Sequence, residues 1–169
     1  MRLFIALQFY DSIIDALTNF QQVLRSMGVF GNYTKEENLH LTLAFIGEYG
    51  DPDAVLDVME QVSFRPFELR LSGVGSFEDL FWVGTTGEEE LTALVKKLRH
   101  ALADAGIPFD RKKFRPHITL IRKMRIQSGK SIPVEKLRRG GMMVKSISLM
   151  KSERGRSGMI YTELGRISM

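Results

Sequence analysis

The stretch NLHLTLAFIGE at residues 38–48 is echoed by FRPHITLIR at residues 114–122. Both contain a four-residue word that begins with His and ends in Thr-Leu, HLTL at 40–43 and HITL at 117–120. The two words lie 77 positions apart, and each follows the same predicted succession of strand, helix and loop. The chain is therefore predicted to be a disguised duplication of one α+β unit.

The duplicated units cover about residues 2–46 and 79–122 of what we expect to be a single domain. Apolar residues at helical spacing predict helices over 12–27, 52–62 and 88–105. Strands are predicted at 2–8, 39–46, 67–71, 80–84, 116–121, 144–151 and 160–167. The last two strands are expected to form a hairpin with a long loop at SERGRSG, the glycines of LSGVGSFE are expected in turns, and residues 123–141 are left mostly as loop.

Strand alternation determines which side chains of each repeated word lie on the same face of its strand. His40 shares a face with Thr42, and His117 shares a face with Thr119. Each strand therefore offers an imidazole beside a hydroxyl on one face. The opposite face is apolar and is predicted to lie in the core; its residues are Leu41, Leu43, Phe45, Ile118 and Leu120.

Composition restricts the kinds of site that are available. The 169 residues are 44% hydrophobic and 26% charged, as expected of a globular protein with a core of its own. The absence of cysteine excludes disulfides, thiolate nucleophiles and cysteine-bound metals. No run approaches the roughly 20 apolar residues of a membrane-spanning helix, and the N-terminal segment lacks the pattern of a signal peptide. We therefore expect a cytoplasmic protein.

Charge is distributed unevenly along the chain. Residues 1–105 carry 8 Lys and Arg against 16 Asp and Glu, whereas residues 106–169 carry 16 against 4. Clustered Lys and Arg attract polyanions and release their counterions, so the last third is a candidate phosphate-facing surface. The alternative is a solvated basic face that binds nothing in particular.

The matched pair of histidines suits the hydrolysis of a phosphate ester. Imidazole titrates near pH 6.5, so one ring can act as a base while its partner acts as an acid. If His40 and His117 flank one phosphorus atom, one takes the proton of the attacking water and the other protonates the departing ribose oxygen. The hydroxyls of Thr42 and Thr119 can donate to the non-bridging phosphate oxygens. This division of labour requires no metal ion.

Several segments together resemble the 2H phosphoesterases. They are the opening RLFIAL, the two stretches that contain the His-x-Thr words, and the C-terminal segment with Tyr161. Within that superfamily the chain looks like the RNA 2′,3′-cyclic phosphodiesterases, also called 2′-5′ RNA ligases (LigT-like), over nearly its whole length. The resemblance implies a bilobal α+β fold, with two lobes related by an approximate two-fold axis. Each lobe has an antiparallel sheet flanked by helices, and the active-site cleft lies between them.

The resemblance also implies the reaction. The expected activity opens the 2′,3′-cyclic phosphate end of RNA to a 2′-phosphate, with a weak reverse-type activity that joins tRNA halves by a 2′-5′ linkage. The catalytic positions of the family fall on His40 and His117, and its phosphate-binding positions fall on Thr42, Thr119 and Arg122. The expected partner is RNA with a 2′,3′-cyclic phosphate terminus, such as a tRNA half. We expect a monomer that needs no cofactor or metal and binds no membrane.

Other candidate residues have competing interpretations. Strict alternation places Arg122 on the core-facing side of its strand, so it reaches the phosphate only if the strand ends or bulges after Ile121. Alternative phosphate contacts in the same basic stretch are Lys112, Lys113 and Arg115. His100 has no Thr companion and is expected to be a structural or a surface residue of its helix. Trp82 corresponds to Ile5 in the repeat and is expected to pack, with base stacking as the alternative.

Two rival functions follow from the same residues. A non-catalytic RNA-end or nucleotide binding module could keep the Thr and Arg residues, but it would have no need of both imidazoles. A hydrolase with a metal held by the two histidines lacks a third ligand at a recognisable spacing. Hydrolysis of 2′,3′-cyclic nucleotides, with and without a strong chelator, distinguishes these readings.

Overall fold

A computed structural model describes residues 1–169 apart from the side chain of Asp11. The strands are β1 (Arg2–Gln8), β2 (Phe30–Tyr33), β3 (His40–Glu48), β4 (Phe67–Phe77), β5 (Leu80–Thr85), β6 (Ile118–Arg125), β7 (Gly141–Val144), β8 (Ser146–Gly155) and β9 (Gly158–Ser168). The α-helices are α1 (Asp11–Ser26), α2 (Pro52–Glu60) and α3 (Glu88–Asp104). Short 3-10 turns lie at Glu36–Asn38 and Val134–Lys136.

The strands form two antiparallel sheets. One sheet has the order β3-β1-β8-β9, and the other has the order β2-β6-β5-β4-β7. In the first sheet β1 pairs with β3, and in the second β5 pairs with β6. These are the equivalent strands of the two repeats, so the predicted α+β fold with an antiparallel sheet in each lobe is confirmed.

Each half of the chain contributes elements to the sheet of the other half. β2 comes from the first half but pairs with β6 at the edge of the second sheet. The C-terminal strands β8 and β9 join the first sheet through β1. The helices follow the same pattern, because Phe20 of α1 packs against Phe81 of β5 with ring centroids 6.4 Å apart, and α3 packs against β3. The two halves therefore share one continuous core.

Hydrophobic spacing explains why the helices form and which face they bury. The apolar residues recur every three or four positions, which places them on one stripe of each helix. In α1 the fully buried residues are Ile13, Leu17, Phe20 and Leu24, and in α3 the buried residues include Leu91, Leu94, Leu98 and Leu102. Full burial of each such side chain stabilises the fold by roughly 1.5–3 kcal/mol. None of the helices among the described residues is both long and apolar enough to cross a bilayer.

Several predicted loops are strands in the structure. β2 lies in a segment without strand pattern, and β6 extends to Arg125 beyond its predicted end. Residues 71–77 of the segment LSGVGSFE belong to β4, which pairs with β5, so the assignment of its glycines to turns is wrong. Gly75 is required in this strand because the Trp82 ring of β5 covers it and leaves no room for a Cβ. The β8–β9 hairpin closes between Gly155 and Gly158, so it has a two-residue turn and not a long loop.

Candidate active site

A cleft with a volume of about 1830 Å³ opens between the two sheets. All five site residues predicted from the sequence line this cleft: His40, Thr42, His117, Thr119 and Arg122. The alternative phosphate contacts are exposed and lie outside the described lining of the cleft: Lys112, Lys113 and Arg115. The fold therefore brings the two repeated words together at one site.

The backbone orients both histidine rings in the same way. Nδ1 of His40 donates to the carbonyl of Asn38 at 2.7 Å, and Nδ1 of His117 donates to the carbonyl of Arg115 at 2.7 Å. A carbonyl oxygen can only accept a hydrogen bond, so each neutral ring carries its proton on Nδ1. Nε2 is then the nitrogen that is free to take up or release a proton.

The ring of His40 is enclosed by aromatic side chains and a hydroxyl. Its Nε2 lies 2.9 Å from Oγ1 of Thr42, which donates to the neutral ring. The ring centroids of Phe4 and Tyr161 lie 5.0 Å and 5.2 Å from that of His40. Phe4 and Tyr161 also pack edge to face at 5.1 Å. The ring is therefore held in one orientation with much of its surface removed from water.

This environment lowers the pKa of the His40 ring. Burial lowers the pKa of the imidazole below its ordinary value of 6.5. The hydrogen bond to the carbonyl of Asn38 acts in the opposite direction, whereas the positive charge of Arg122 and repulsion from the ring of His117 lower the pKa further. In the free protein at neutral pH, His40 is accordingly held in its neutral form.

His117 has its own aromatic neighbours. The ring centroids of Phe77 and Trp82 lie 5.2 Å and 6.3 Å from that of His117. Strand pairing places Trp82 opposite Thr119, just as it places Ala6 opposite Thr42. Trp82 therefore corresponds in the structure to Ala6 and not to Ile5. The offset between the equivalent strands β1 and β5 is 76 residues, whereas the offset between the two His-x-Thr words is 77. Trp82 packs beside the second histidine of the site.

A β-bulge interrupts each His-x-Thr strand at the same place. In β3 the extra residue is Leu43, and in β6 it is Leu120, its equivalent in the repeat. A bulge breaks the alternation of side chains between the two faces of a strand. Leu43 and Ala44 are accordingly both buried, and so are Leu120 and Ile121. Beyond each bulge the inward and outward positions exchange.

The bulges bring Phe45 and Arg122 into the cleft. The prediction of Phe45 in the core is wrong, because this side chain lines the cleft and is 51% exposed. Arg122 lines the cleft because the strand bulges at Leu120. Strict alternation requires a bulge or a strand end after Ile121, so the observed bulge lies one residue earlier than expected. The bulged Leu120 keeps its carbonyl satisfied by Thr34 N at 2.8 Å and by Nε2 of buried Gln21 at 3.3 Å.

Asn38 is a site residue that the sequence pattern did not single out. Its carbonyl accepts from His40, and its Nδ2 donates to the carbonyl of Met159 in β9 at 2.9 Å. Asn38 thus ties the hairpin β8–β9 to the orientation of the first histidine. Its place two residues before His40 is the signal, since Arg115 holds His117 from the equivalent position.

The third histidine of the chain lies outside the cleft. Nε2 of His100 lies 3.3 Å from Oδ2 of Asp104 on the exposed surface of α3. Among the described side chains, no three His, Cys, Asp or Glu residues are grouped so that they could hold a metal ion. The third histidine is therefore a surface residue of the helix.

Comparison with known proteins agrees with this geometry. The family model of the 2′-5′ RNA ligase superfamily matches residues 13–156. The chain is 33% identical to the RNA 2′,3′-cyclic phosphodiesterase of Archaeoglobus fulgidus, over 97% of this chain and 98% of that protein. The resemblance found in the sequence is confirmed.

Solved structures show the same fold. Escherichia coli LigT in its apo form has a TM-score of 0.82 at 26% identity, covering 99% of this chain and 96% of that chain. TT0787 of Thermus thermophilus has a TM-score of 0.82 at 29% identity, covering 99% of this chain and 97% of that chain. Since the family model spans most of the sequence and these similarities span nearly all of it, the chain belongs to the 2′-5′ RNA ligase superfamily.

Proposed function

We propose that this protein hydrolyses the 2′,3′-cyclic phosphate end of RNA to a 2′-phosphate, with His40 and His117 as its general acid and base and without a metal ion. The observation that carries the proposal is that both His-x-Thr pairs line one cleft together with Arg122. The name of the Archaeoglobus fulgidus relative, an RNA 2′,3′-cyclic phosphodiesterase, supports this choice of substrate.

The reaction is an in-line displacement at phosphorus. One imidazole removes a proton from water as the water oxygen bonds to phosphorus. The other imidazole gives a proton to O3′ as the bond between phosphorus and O3′ breaks. The bond to O2′ remains, so the products are a 2′-phosphate and a free 3′-hydroxyl. Each positioned proton transfer contributes typically ~10² to 10⁴ in rate.

The remaining cleft residues bind the phosphate. Thr42 and Thr119 stand on the same strand faces as the histidines, so their hydroxyls can donate to the non-bridging oxygens. The guanidinium of Arg122 adds a planar pair of donors that matches two phosphate oxygens. These contacts stabilise the negative charge that grows on the phosphate in the transition state.

The same site can join RNA ends when a 5′-hydroxyl takes the place of water. The 5′-oxygen then attacks phosphorus, O3′ again leaves, and the product is a 2′-5′ phosphodiester beside a free 3′-hydroxyl. Two tRNA halves supply the cyclic phosphate and the 5′-hydroxyl that this reaction needs. The family description, 2′-5′ RNA ligase superfamily, supports this second reaction. Water greatly outnumbers RNA ends, so hydrolysis dominates.

The test is product analysis with a short RNA that carries a 2′,3′-cyclic phosphate, incubated with the protein in the presence of a strong chelator. The expected product ends in a 2′-phosphate. His40→Ala and His117→Ala are each expected to lower kcat by ~10² to 10⁴ while remaining folded. His100→Ala is the matched control, because this third histidine lies on the exposed surface of α3.

Three outcomes contradict the proposal in different ways. A 3′-phosphate product, or near-normal turnover of either cleft variant, contradicts the mechanism. Activity that disappears in the chelator favours a metal-dependent hydrolase. Binding of the RNA without turnover by the unmodified protein favours a non-catalytic RNA-end or nucleotide binding module.

A further inference from the structure

One wall of the cleft carries positive charge that the hydrolysis of a cyclic phosphate does not use. Tyr33 of β2 pairs with Ile121 of β6, so this wall begins one strand spacing, about 5 Å, from the strand that carries Thr119 and Arg122. We call this wall the β2 rim; its cleft-lining residues are Arg25, Tyr33, Lys35 and Lys123.

An unusual backbone conformation directs Lys123 into the cleft. Its φ of 54° lies in the left-handed region, which residues other than glycine rarely adopt. Here β6 carries an extra residue opposite Gly31 of β2. Successive side chains of a regular strand point to opposite faces, yet Arg122 and Lys123 both line the cleft. Such outliers are frequent at functional sites, where the surrounding structure maintains them.

Arg25 is held in place by an aromatic ring. Its guanidinium lies over the ring of Tyr33, 4.2 Å from the centroid. The ring is fixed in turn, because the Tyr33 hydroxyl donates to the carbonyl of Val29 at 2.7 Å. Stacking leaves the N–H groups at the edge of a guanidinium available for an anion. Arg25 is therefore preorganised as a phosphate ligand.

The opposite wall of the cleft contributes Arg2, Lys151, Arg154 and the N-terminal ammonium, but it also contains carboxylates that offset part of this positive charge. Nζ of Lys151 lies 3.0 Å from Oε1 of Glu153, and Glu48 binds the N-terminal ammonium at 3.0 Å. On the side of the β2 rim, the described cleft-lining residues between 25 and 35 and between 119 and 123 include no carboxylate. Asp110 also lines the cleft, but it lies beside β3, where its N–H donates to the carbonyl of Phe45 at 2.8 Å. A polyanion that crosses the cleft is accordingly drawn toward the β2 rim.

We propose that the β2 rim is a subsite for the RNA strand upstream of the cyclic end, with Lys123 and Arg25 binding the phosphodiester on the 5′ side of the terminal nucleotide. This inference rests on the proposed function, because a 2′,3′-cyclic phosphate ends the chain and RNA continues from it only in the 5′ direction. The cleft volume of about 1830 Å³ also exceeds the ~300–1,000 Å³ of an ordinary small-molecule site. The protein therefore prefers RNA ends to cyclic mononucleotides.

The experiment compares kcat/KM for a 2′,3′-cyclic mononucleotide with kcat/KM for a short single-stranded RNA that carries the same end. In Arg25→Gln and Lys123→Gln, the ratio of RNA to mononucleotide is expected to fall about tenfold, as for a lost charge-assisted contact. The salt dependence of binding to the 2′-phosphate RNA product should also weaken, by about 0.7 in the slope of log affinity against log salt.

Two further lysine variants serve as controls. Lys96→Gln removes a charge from the exposed surface of α3, and Lys151→Gln removes one from the opposite wall of the cleft. Both should keep the ratio of the unmodified protein. Circular dichroism of all the variants verifies that they are folded.

The outcomes separate this inference from the proposed function. If the ratio of kcat/KM for RNA to kcat/KM for the mononucleotide is unchanged in both Arg25→Gln and Lys123→Gln, the subsite is overturned. It is also overturned if this ratio falls only in Lys151→Gln, because the RNA would then lie over the opposite wall. An unmodified protein that hydrolyses neither substrate overturns the proposed function instead. In that case binding of the 2′-phosphate RNA decides the subsite, and equal affinity of the rim variants and the unmodified protein refutes it.

Discussion

Phe45 and Arg122 occupy equivalent positions in the two halves of the chain, each two residues beyond a bulged leucine. Both side chains line the cleft. The repeat is thus symmetric in its histidines and threonines, but it offers an aromatic ring from one lobe and a guanidinium from the other. The flat base of a nucleotide suits the ring of Phe45, and its anionic phosphate suits the guanidinium of Arg122.

Replacement of Phe45 by alanine should weaken substrate binding. Stacking of a base on an aromatic side chain contributes roughly 1–3 kcal/mol, so KM for a 2′,3′-cyclic nucleotide should rise about tenfold. The melting temperature should change little, because the side chain is already 51% exposed. Phe30→Ala is the control, since Phe30 is exposed outside the described cleft lining. An unchanged KM in Phe45→Ala would exclude stacking on this ring.

Arg122→Gln should lower kcat by ~10² to 10³, the usual effect of removing a group that stabilises transition-state charge. The glutamine keeps a polar side chain of similar length but loses the charge and the planar fork. Arg125→Gln is the matched control, because Arg125 lies on the same strand but outside the described lining of the cleft. Equal kcat values for the two variants would remove Arg122 from the mechanism.

His40 should titrate below pH 6.5 in NMR spectra of its ring, because burial disfavours the charged form. Arg122→Gln should raise this pKa, since the arginine charge is one of its causes. A midpoint at or above 6.5 for the unmodified protein would contradict the enclosure of the ring.

The same shift makes stability depend on pH. The unfolded chain binds a proton at His40 near pH 6.5, but the folded protein binds it only at lower pH. Between the two pKa values the unfolded state holds more protons, so this histidine lowers the free energy of unfolding as pH falls below about 6.5. Urea denaturation as a function of pH measures the effect. His40→Gln should lose the contribution of this histidine to the pH dependence of the free energy of unfolding. If the variant kept the pH dependence of the unmodified protein, the lowered pKa of His40 would be refuted.

Asn38→Ala should lower kcat about tenfold with a smaller change in KM, because in the proposed mechanism a small displacement of the His40 ring is costly even when substrate still binds. Asn38→Asp should behave similarly, since an ionised carboxylate cannot donate to the carbonyl of Met159. Asn19→Ala, on helix α1, is the control. Kinetics of Asn38→Ala that match those of the control would mean that the tie to β9 does not position His40.

Gly75→Ala should disturb the second histidine from a distance. A Cβ at this position overlaps the ring of Trp82, which packs beside His117. We expect a loss of roughly 1–3 kcal/mol in the free energy of unfolding from overpacking, together with reduced kcat. Gly50→Ala is the matched control, because a Cβ there meets no atom within 4 Å. Urea denaturation and turnover that are both unaffected in Gly75→Ala would refute the packing argument.

The repeat and the amphipathic helices could be predicted because they depend on local periodicity. The helix predicted at 88–105 is observed at Glu88–Asp104, and the strand predicted at 2–8 is observed at Arg2–Gln8. The two His-x-Thr words were sufficient to identify His40, Thr42, His117 and Thr119, which all line the cleft. Arg122 was added by the family resemblance. The repeat and the helical spacing of apolar residues recur at fixed intervals, so both are visible in a single sequence.

The bulges and the edge strand could not be predicted because they depend on pairing. Leu43 and Leu120 look like ordinary members of an alternating strand, and only the register against β1 and β5 makes each an extra residue. β2 has three exposed residues out of four and no alternation of its own, and it becomes a strand through its bonds to β6. Phe45 was wrongly predicted in the core because the bulge at Leu43 is not visible in the sequence.

The interleaving of the two halves has a consequence for how the protein is made. Leu3 pairs with Gly47 on one side and with Lys151 on the other, so the first strand gains its second neighbour only after residue 151 has been synthesised. Contacts between residues so distant along the chain slow folding. A polypeptide released early would lack the hairpin that carries Tyr161 and anchors Asn38. Polypeptides that end before this hairpin are therefore expected to lack the proposed activity.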